Sequence, residues 1–395
     1  MGSEYPSGAM RARRAVLALL LAVVALVPIS GGAAGPAWEQ WKSVPGVFDV
    51  GGPRSDGSVL VAGTAALYTL TSSGDLVPFA RGPGGYRDDR GMEAYLAVAP
   101  GQHVASTGCD FNRDDTFLLR QHDPIGITRI NQAGDETGSF VNVGLPSLTG
   151  LAFDTEGSFE HRLLVAGPLD GKTEIVAIDC AGVGKYVTRT APPLEGGFAV
   201  APMSFGAFGG WLIAPDENTG VIWGIGADGT AKPVAASGLP TGRGVGVESI
   251  GFVPPGFARG GQAYYADRKT AGSQQPGSDS VLRIASAALV AAGVQDGDML
   301  AVTEGGASMI DVRCDTNCHV SPVLGATAAA HGSGHLVFTL NTSASQGPSA
   351  RPTGPPTQPA ANAAPGAVPL PIVIVIALLA AAAGAAVAVA LARRR

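Results

Sequence analysis

The feature that most constrains this chain is a repeated unit of short apolar runs separated by glycine, proline, aspartate and asparagine. The stretch 211–235, WLIAPDENTGVIWGIGADGTAKPVA, shows the unit as a strand, a turn, a second strand, an Asp-Gly turn and a third strand. Such runs are typical of β-strands joined by tight turns. Only the window 286–292 has the periodicity of a helix. The sequence therefore predicts an all-β domain made of repeats.

Six segments share one register and are taken as the first strands of the repeats. They begin at Asp56, Glu93, Thr149, Glu195, Glu248 and Ser333. Most spacings are about 40 to 55 residues, which suits the four-stranded blade of a β-propeller with variable loops. The last spacing is longer, which indicates an insertion or a missed start. We predict a six-bladed β-propeller, although five or seven blades also fit the spacing, and a β-sandwich is the competing fold. The segment 41–50 is expected to close the ring against the last strand, 335–340.

Both ends of the chain indicate export and membrane attachment. Residues 1–34 combine three arginines, an apolar run over 15–27 and small residues, as in a signal peptide, with an uncleaved anchor as the alternative. Residues 370–392 are apolar and long enough to cross a bilayer as one helix. The arginines at 393–395 predict a cytoplasmic tail. The expected location is the cell membrane, with a single pass and the N-terminal ectodomain outside.

Composition sets the remaining boundaries. Residues 341–369 are rich in proline, alanine, serine and threonine and predict an extended stalk, which leaves 38–340 as the propeller ectodomain. The net charge of −6, without basic blocks, argues against a nucleic-acid partner.

The four cysteines form an even set in an exported domain and predict two disulfides. Cys314 and Cys318 are close enough in the chain to clip a hairpin tip, which leaves Cys109 to pair with Cys180. A zinc site would need tighter pairs of cysteines.

Three of the predicted first strands begin with a lone glutamate: Glu93, Glu195 and Glu248. Residues at the start of the innermost strands of a propeller converge on the central channel. Three carboxylates brought together there would repel one another unless one is protonated or a cation lies among them. Oxygen ligands favour Ca²⁺ or Mg²⁺. The sequence predicts a metal or polar site at the channel mouth. The alternative is that these glutamates face solvent or form salt bridges with Arg243, Arg268 or other loop residues.

The segments "GPRSDG", "FARGPGGY", "IAPDE", "GVESIGFVP" and "TEGGASMIDVRC" resemble exported actinobacterial propellers of unknown function. More broadly, most of 44–340 resembles the senescence-marker-protein/gluconolactonase and NHL-like six-bladed propellers. In the gluconolactonase-like family, the glutamate of an E-G-P-x motif and asparagine or aspartate residues at other blade starts hold a divalent metal. Glu195 matches that glutamate loosely, and Thr149 replaces an asparagine ligand. The resemblance implies a metal site with an altered ligand set.

Three other groups of polar residues are weaker candidates. Residues 110–114 alternate oxygen side chains as a calcium loop does, although a plain acidic turn is favoured. The stretch 216–218 is expected to be a solvated hairpin turn. His331 and His335 lie near a blade start, from which one of them could reach the channel as a base.

These observations favour a membrane-anchored binding module for an extracellular ligand or protein. The alternatives are a metal-dependent lactonase-like hydrolase and a purely structural envelope protein.

Overall fold

The structure, a computed structural model, describes residues 35–64, 66–80, 93, 95–327 and 329–341. The predicted signal peptide, most of the stalk, the membrane helix and the basic tail lie outside these residues. Within the described ranges, no helix is both long and apolar enough to cross a membrane.

Six four-stranded antiparallel sheets form the blades of a β-propeller. The strands of each blade are named in order from the innermost to the outermost. Blade 1 contains β2 (Asp49–Gly51), β3 (Val59–Gly63), β4 (Ala66–Leu70) and β5 (Leu76–Phe79). Blade 2 contains β6 (Leu96–Val98), β9 (Thr116–Arg120), β10 (Gly126–Ile130) and β11 (Thr137–Asn142), and the short hairpin of β7 (His103–Val104) and β8 (Cys109–Asp110) is inserted between its first two strands.

The next two blades are also continuous in sequence. Blade 3 contains β12 (Gly150–Phe153), β13 (Leu163–Leu169), β14 (Lys172–Ile178) and β15 (Gly184–Ala191). Blade 4 contains β16 (Ala199–Val200), β17 (Leu212–Asp216), β18 (Val221–Ile225) and β19 (Ala231–Ala236). Short 3-10 helices lie at Gly206–Phe208 and Phe257–Arg259.

The last two blades are interleaved in the chain. Blade 5 contains β20 (Val247–Phe252), β23 (Met299–Thr303), β24 (Met309–Cys314) and β25 (Cys318–Leu324). Blade 6 contains β26 (Gly332–Leu340), β21 (Gly261–Asp267), β22 (Ser280–Ala285) and β1 (Glu39–Ser43). The chain therefore leaves blade 5 after one strand, builds two strands of blade 6, passes through α1 (Ser286–Ala291) and returns. This detour accounts for the long last spacing in the sequence.

The predicted six blades are confirmed, and two details of the register are corrected. Blade 1 begins at Asp49, and the segment that starts at Asp56 forms its second strand, β3. The N-terminal strand β1 does join the last sheet, but it pairs with β22, while β26 pairs with β21. Direct contact between the start and the end of the ring is made instead at Asp49, whose carboxylate accepts a hydrogen bond from the backbone N–H of His335 at 2.7 Å.

The core lies between the blades. Each of six apolar clusters joins two neighbouring blades. The middle strands of a blade pack against a neighbouring blade on each of their two faces. In β3, Val61 faces blade 6 and Leu60 faces blade 2. Strands buried on both faces have continuous apolar sequences, because neither face meets water. This is why the runs in the sequence show little alternation between apolar and polar residues.

Both predicted disulfides, Cys109–Cys180 and Cys314–Cys318, are present. The first links the β7–β8 hairpin of blade 2 to the turn after β14 of blade 3, and the second closes the tip of the β24–β25 hairpin. We define the top face as the one where the innermost strands begin and the second strands end, and the bottom face as the opposite one. Both disulfides lie on the bottom face.

Candidate functional site

The four residues predicted from the sequence to form a site line one pocket on the top face. Glu93 precedes β6, Thr149 precedes β12, Glu195 precedes β16, and Glu248 is the second residue of β20. The pocket has a volume of about 450 Å³ and all four residues contribute to its wall. Four successive blades therefore deliver these side chains to one place, as the propeller geometry requires.

Tyr95 joins two of the glutamates. Its hydroxyl lies 2.5 Å from Oε2 of Glu93 and 2.7 Å from Oε1 of Glu248. Tyr95 is fully buried and stacks edge-on against His335, with ring centroids 6.0 Å apart. Because a hydroxyl carries one proton, it can donate to only one carboxylate, and the second contact requires a proton on the other carboxyl group. Glu248 is the more buried of the two, so burial and the charge of Glu93 raise its pKa well above the usual range.

Two arginines balance part of this charge. Arg268, the residue after β21, places Nη1 3.0 Å from Oε1 of Glu93. Arg243 lines the pocket and lowers the pKa of Glu195. Burial and the charge of Glu93 act more strongly in the opposite direction, and they raise the pKa of Glu195 to about 6. The predicted alternative of salt bridges is thus partly realised, at Glu93.

Thr149 connects two blades through the backbone. Its hydroxyl donates to the carbonyl of Leu194 at 2.9 Å, and its own carbonyl accepts from the N–H of Gly196 at 2.9 Å. These bonds hold the segment that carries Glu195 against blade 3. Thr149 therefore positions a neighbouring glutamate.

Gly196 allows the Glu195 segment to lie directly on Glu248. Its φ is +99°, and a Cβ built there would lie 1.9 Å from the carbonyl oxygen of Glu248. The next residue, Gly197, donates its N–H to the same carbonyl at 2.8 Å. Only glycine combines this φ with so close a backbone contact.

Two further glutamates, Glu217 and Glu304, belong to the pocket and were missed by the sequence reasoning. Each directly follows the second strand of its blade, β17 or β23. Gln121 and Arg268 occupy the same position after β9 and β21. The signal that could have found them is therefore a second recurrent position, one residue after the second strand.

Glu217 and Glu304 lie near each other in the pocket wall. Glu217 is buried, its carboxylate accepts the N–H of Gly244, and burial together with the nearby charge of Glu304 raises its pKa to about 8. Oε1 of Glu304 lies 2.8 Å from Nε2 of His331, which is itself buried. The turn at 216–218 is a hairpin as predicted, but Asp216 and Glu217 are each only 5% exposed, so the expected solvated turn is wrong.

The two histidines have different surroundings. His331 contacts Glu304 at the pocket, whereas His335 lies deeper, on the wall of a separate axial cavity of about 290 Å³. Nδ1 of His335 lies 3.1 Å from the Asp49 carboxylate and Nε2 lies 3.0 Å from the carbonyl of Leu151. Burial lowers the pKa of His335, but the Asp49 charge and these bonds outweigh it and raise the pKa overall. His335 thus braces three blades at the axis.

The donor set was tested against the predicted Ca²⁺ or Mg²⁺. Carboxylate oxygens suit either ion chemically, and Ca²⁺ takes six to eight oxygens at about 2.3–2.6 Å. In the described part of the chain, no group of three or more acidic, histidine or cysteine side chains is arranged to hold a metal ion. Tyr95, Arg268 and the Gly244 N–H already engage Glu93, Glu248 and Glu217. This arrangement does not fit a preformed metal centre.

The 110–114 segment also does not converge on one point. Asp110 binds His103 at 2.9 Å on the surface, while Asp114 accepts the N–H of Ser55 from blade 1 at 2.8 Å. These bonds support the acidic turn favoured from the sequence.

No protein-family model and no curated protein matches the chain. Solved structures with a similar fold include a putative gluconolactonase, with 11% identity, TM-score 0.44, and coverage of 78% of this chain and 90% of that one. A calcium-binding regucalcin from Agrobacterium tumefaciens has 11% identity, TM-score 0.42 and coverage of 74% and 79%. A virginiamycin B lyase from Staphylococcus aureus, with quinupristin, has 11% identity, TM-score 0.42 and coverage of 74% and 77%. At this level of similarity, no activity is transferred from these proteins.

Proposed function

We propose that this protein is a membrane-anchored extracellular binding module that holds a small polar ligand in its top pocket. The observation that supports this most directly is the meeting of five glutamates, from three blades, around one cavity of about 450 Å³. Ligand pockets of proteins commonly have about 300–1,000 Å³.

The five carboxyl groups also support ligand binding through their energetics. Burial of several like charges destabilises a fold unless a partner compensates for them. Perturbed carboxyl pKa values in a concave pocket are typical of functional sites, and here the pKa of Glu195 is raised to about 6 and that of Glu217 to about 8.

A thermal-shift panel of anionic, neutral and cationic small molecules, applied to the full chain in mild detergent, tests the binding proposal. We expect at least one chemical class to raise the melting temperature of the wild type and of Glu136→Gln, an exposed glutamate beside the outer strand β11. The same compounds should have a smaller effect on Glu195→Gln. A panel with no pocket-dependent shift would contradict the proposal.

Membrane attachment requires its own test, because the segment 370–392 lies outside the described residues. We expect the full chain to sediment with membranes and its ectodomain to be digested by protease added to intact cells. Deletion of 370–395 should release the ectodomain. Full protection from external protease would place the propeller on the other side of the membrane.

A lactonase-like hydrolase is the second candidate. Glu217 and Glu195 titrate near neutral pH beside a pocket, as a general acid or base must. Turnover of a lactone panel, with and without Ca²⁺ or Mg²⁺, distinguishes the two functions. Hydrolysis that disappears in Glu217→Gln and persists in Glu136→Gln would favour the enzyme.

A further inference from the structure

The wall of the top pocket presents mainly hydrogen-bond acceptors. Ionised carboxylates only accept, and each has about four lone-pair sites. Among the donors near them, Arg268 binds Glu93 at 3.0 Å and Nε2 of Gln121 donates to the carbonyl oxygens of Glu93 and Leu148, while Arg243 contributes a guanidinium whose charge acts on Glu195. A ligand that complements this wall must therefore bring donors of its own.

The balance of charge points in the same direction. Five glutamates surround the pocket, and the cationic groups near them are Arg243, Arg268 and, when protonated, His331. Burial raises the pKa values of Glu248 and Glu217, and with protons on these two groups the other three carboxylates outweigh the two arginines by one negative charge while His331 is neutral. An anion would be repelled, and a positively charged group would gain electrostatic energy in this partly buried site.

A second feature beside the carboxylates also favours a polar ligand. The hydroxyl of Tyr265 is fully buried and has no hydrogen-bond partner among the described residues. Burial and then the charges of Glu248, Glu304 and Glu93 raise the pKa of this hydroxyl, so Tyr265 lies near the carboxyl groups that line the pocket. A buried hydroxyl without a partner is unfavourable, and a ligand or water that reaches it would remove that cost.

Size and existing contacts separate an organic cation from a metal ion. A bare ion would fill a small part of about 450 Å³ and would have to displace the bonds of Tyr95, Arg268 and Gly244 to collect enough oxygens. Ammonium and guanidinium groups carry three and five N–H donors. They can bind the lone pairs that remain without breaking those bonds.

We propose that the top pocket binds a small organic cation, an ammonium or guanidinium compound. This inference rests on the proposed binding function and names its ligand class. Recognition would combine the negative field of the pocket with N–H donors directed at Glu195, Glu217 and Glu304. The hydroxyl of Tyr95 would keep Glu93 and Glu248 in place.

Calorimetric titration of the full chain with 1,4-diaminobutane tests the proposal, and the neutral isostere 1,4-butanediol is the matched ligand control. We expect the diamine to bind the wild type and Glu136→Gln, to bind more weakly as NaCl is raised, and to lose at least about tenfold in affinity in Glu195→Gln. Butanediol should not bind. Each variant is first shown to melt cooperatively, so that lost binding is not misfolding.

Other outcomes overturn the proposal in distinguishable ways. Equal binding of diol and diamine would mean that charge is not recognised. Ca²⁺ that binds more tightly than the diamine and displaces it would establish a metal site instead. Neutral or anionic compounds could raise the melting temperature in a Glu195-dependent way in the thermal-shift panel while the diamine does not bind. The protein would then be a binding module, but its ligand would not be an organic cation. If no compound binds, both are wrong.

Discussion

Asp154 on the bottom face and the glutamates of the top pocket are buried acidic side chains with opposite surroundings. On the bottom face, the Asp154 carboxylate accepts four backbone N–H groups, from residues 156, 157, 159 and 161, at 2.7–3.1 Å. On the top face, Glu217 and Glu248 face other carboxyl groups, which raise their pKa values in addition to the effect of burial. Asp154 is satisfied by backbone donors and shapes a loop, whereas the glutamates that face one another line a pocket that could hold a ligand.

Cross-links follow the same division. Both disulfides fasten the bottom face, one between blades 2 and 3 and one within blade 5. The top pocket is held by side-chain hydrogen bonds and charge pairs. We therefore expect the cross-links of the bottom face to contribute to stability and the top pocket to contribute to recognition, and substitutions can test each expectation.

The largest effect is expected from the inter-blade disulfide. Cys109 and Cys180 are 71 residues apart, and the chain-entropy relation gives about 4 kcal/mol for a loop of this size. For Cys314–Cys318, with a separation of 4, the same relation gives about 2 kcal/mol. Urea denaturation of the two double Cys→Ser variants measures both losses. Equal losses would show that the bottom face does not depend on the inter-blade link.

Exchanging an acid on each face should separate their roles. Asp154→Ala leaves several buried N–H groups without an acceptor and should cost about 3 kcal/mol. Glu248→Gln keeps the shape and removes a carboxyl group from among like charges, so stability should change by less than about 1 kcal/mol or increase. The urea midpoints of the two variants and the wild type measure both changes in stability. A greater loss in Glu248→Gln than in Asp154→Ala would reverse the comparison.

Metal ions offer a sharper test of the top face. A Ca²⁺ or Mg²⁺ site, as predicted from the sequence, would stabilise the fold by about 2.7 kcal/mol at a hundredfold excess over the dissociation constant. Because the carboxyl groups do not form a preformed metal centre, we expect Ca²⁺ or Mg²⁺ to raise the melting temperature by less than 1,4-diaminobutane does. The measurement is a melting series in EDTA, Ca²⁺ and Mg²⁺ for wild type and Glu195→Gln. A large Ca²⁺ shift that is lost in Glu195→Gln would restore the metal site.

The last test is a pH dependence of stability to which Glu217 contributes on the top face. The pKa of Glu217 is raised to about 8 in the folded state, from about 4.5 when unfolded. Between these values the folded state binds more protons than the unfolded state, so stability falls as pH rises. We expect melting curves from pH 5 to 8 to show this decline in the wild type and a flatter profile in Glu217→Gln. Identical profiles would mean that Glu217 does not titrate in this range.

The sequence predicted much of this architecture because blades are local. Five of the six chosen starts, from Glu93 to Ser333, lie at the entry of innermost strands. The error at Asp56 arose because the longer apolar run of β3 (Val59–Gly63) was assigned as the first strand, although β2 (Asp49–Gly51) precedes it. The interleaving of blades 5 and 6 could not be predicted, because periodicity identifies a strand but not the sheet that it joins.

The site was partly predictable for a similar reason. Glu93, Glu195 and Glu248 were found because they share a position before a strand. Glu217 and Glu304 line the same pocket, but each follows the second strand of its blade. In the sequence, Glu217 lies in "APDENTG", which resembles an ordinary polar turn. Their burial depends on packing across blades, which no local pattern records.

The interleaved blades also bear on how such a ring can change through duplication or loss of segments. For blades 1 to 4, a continuous piece of chain corresponds to a complete sheet, so recombination could add or remove one unit cleanly. Between Val247 and Leu340 the two sheets exchange strands, and any cut inside this range leaves both incomplete. Blade 6 also takes β1 from the N-terminal end of the domain, so we expect any gain or loss of a whole blade to be confined to the first four units.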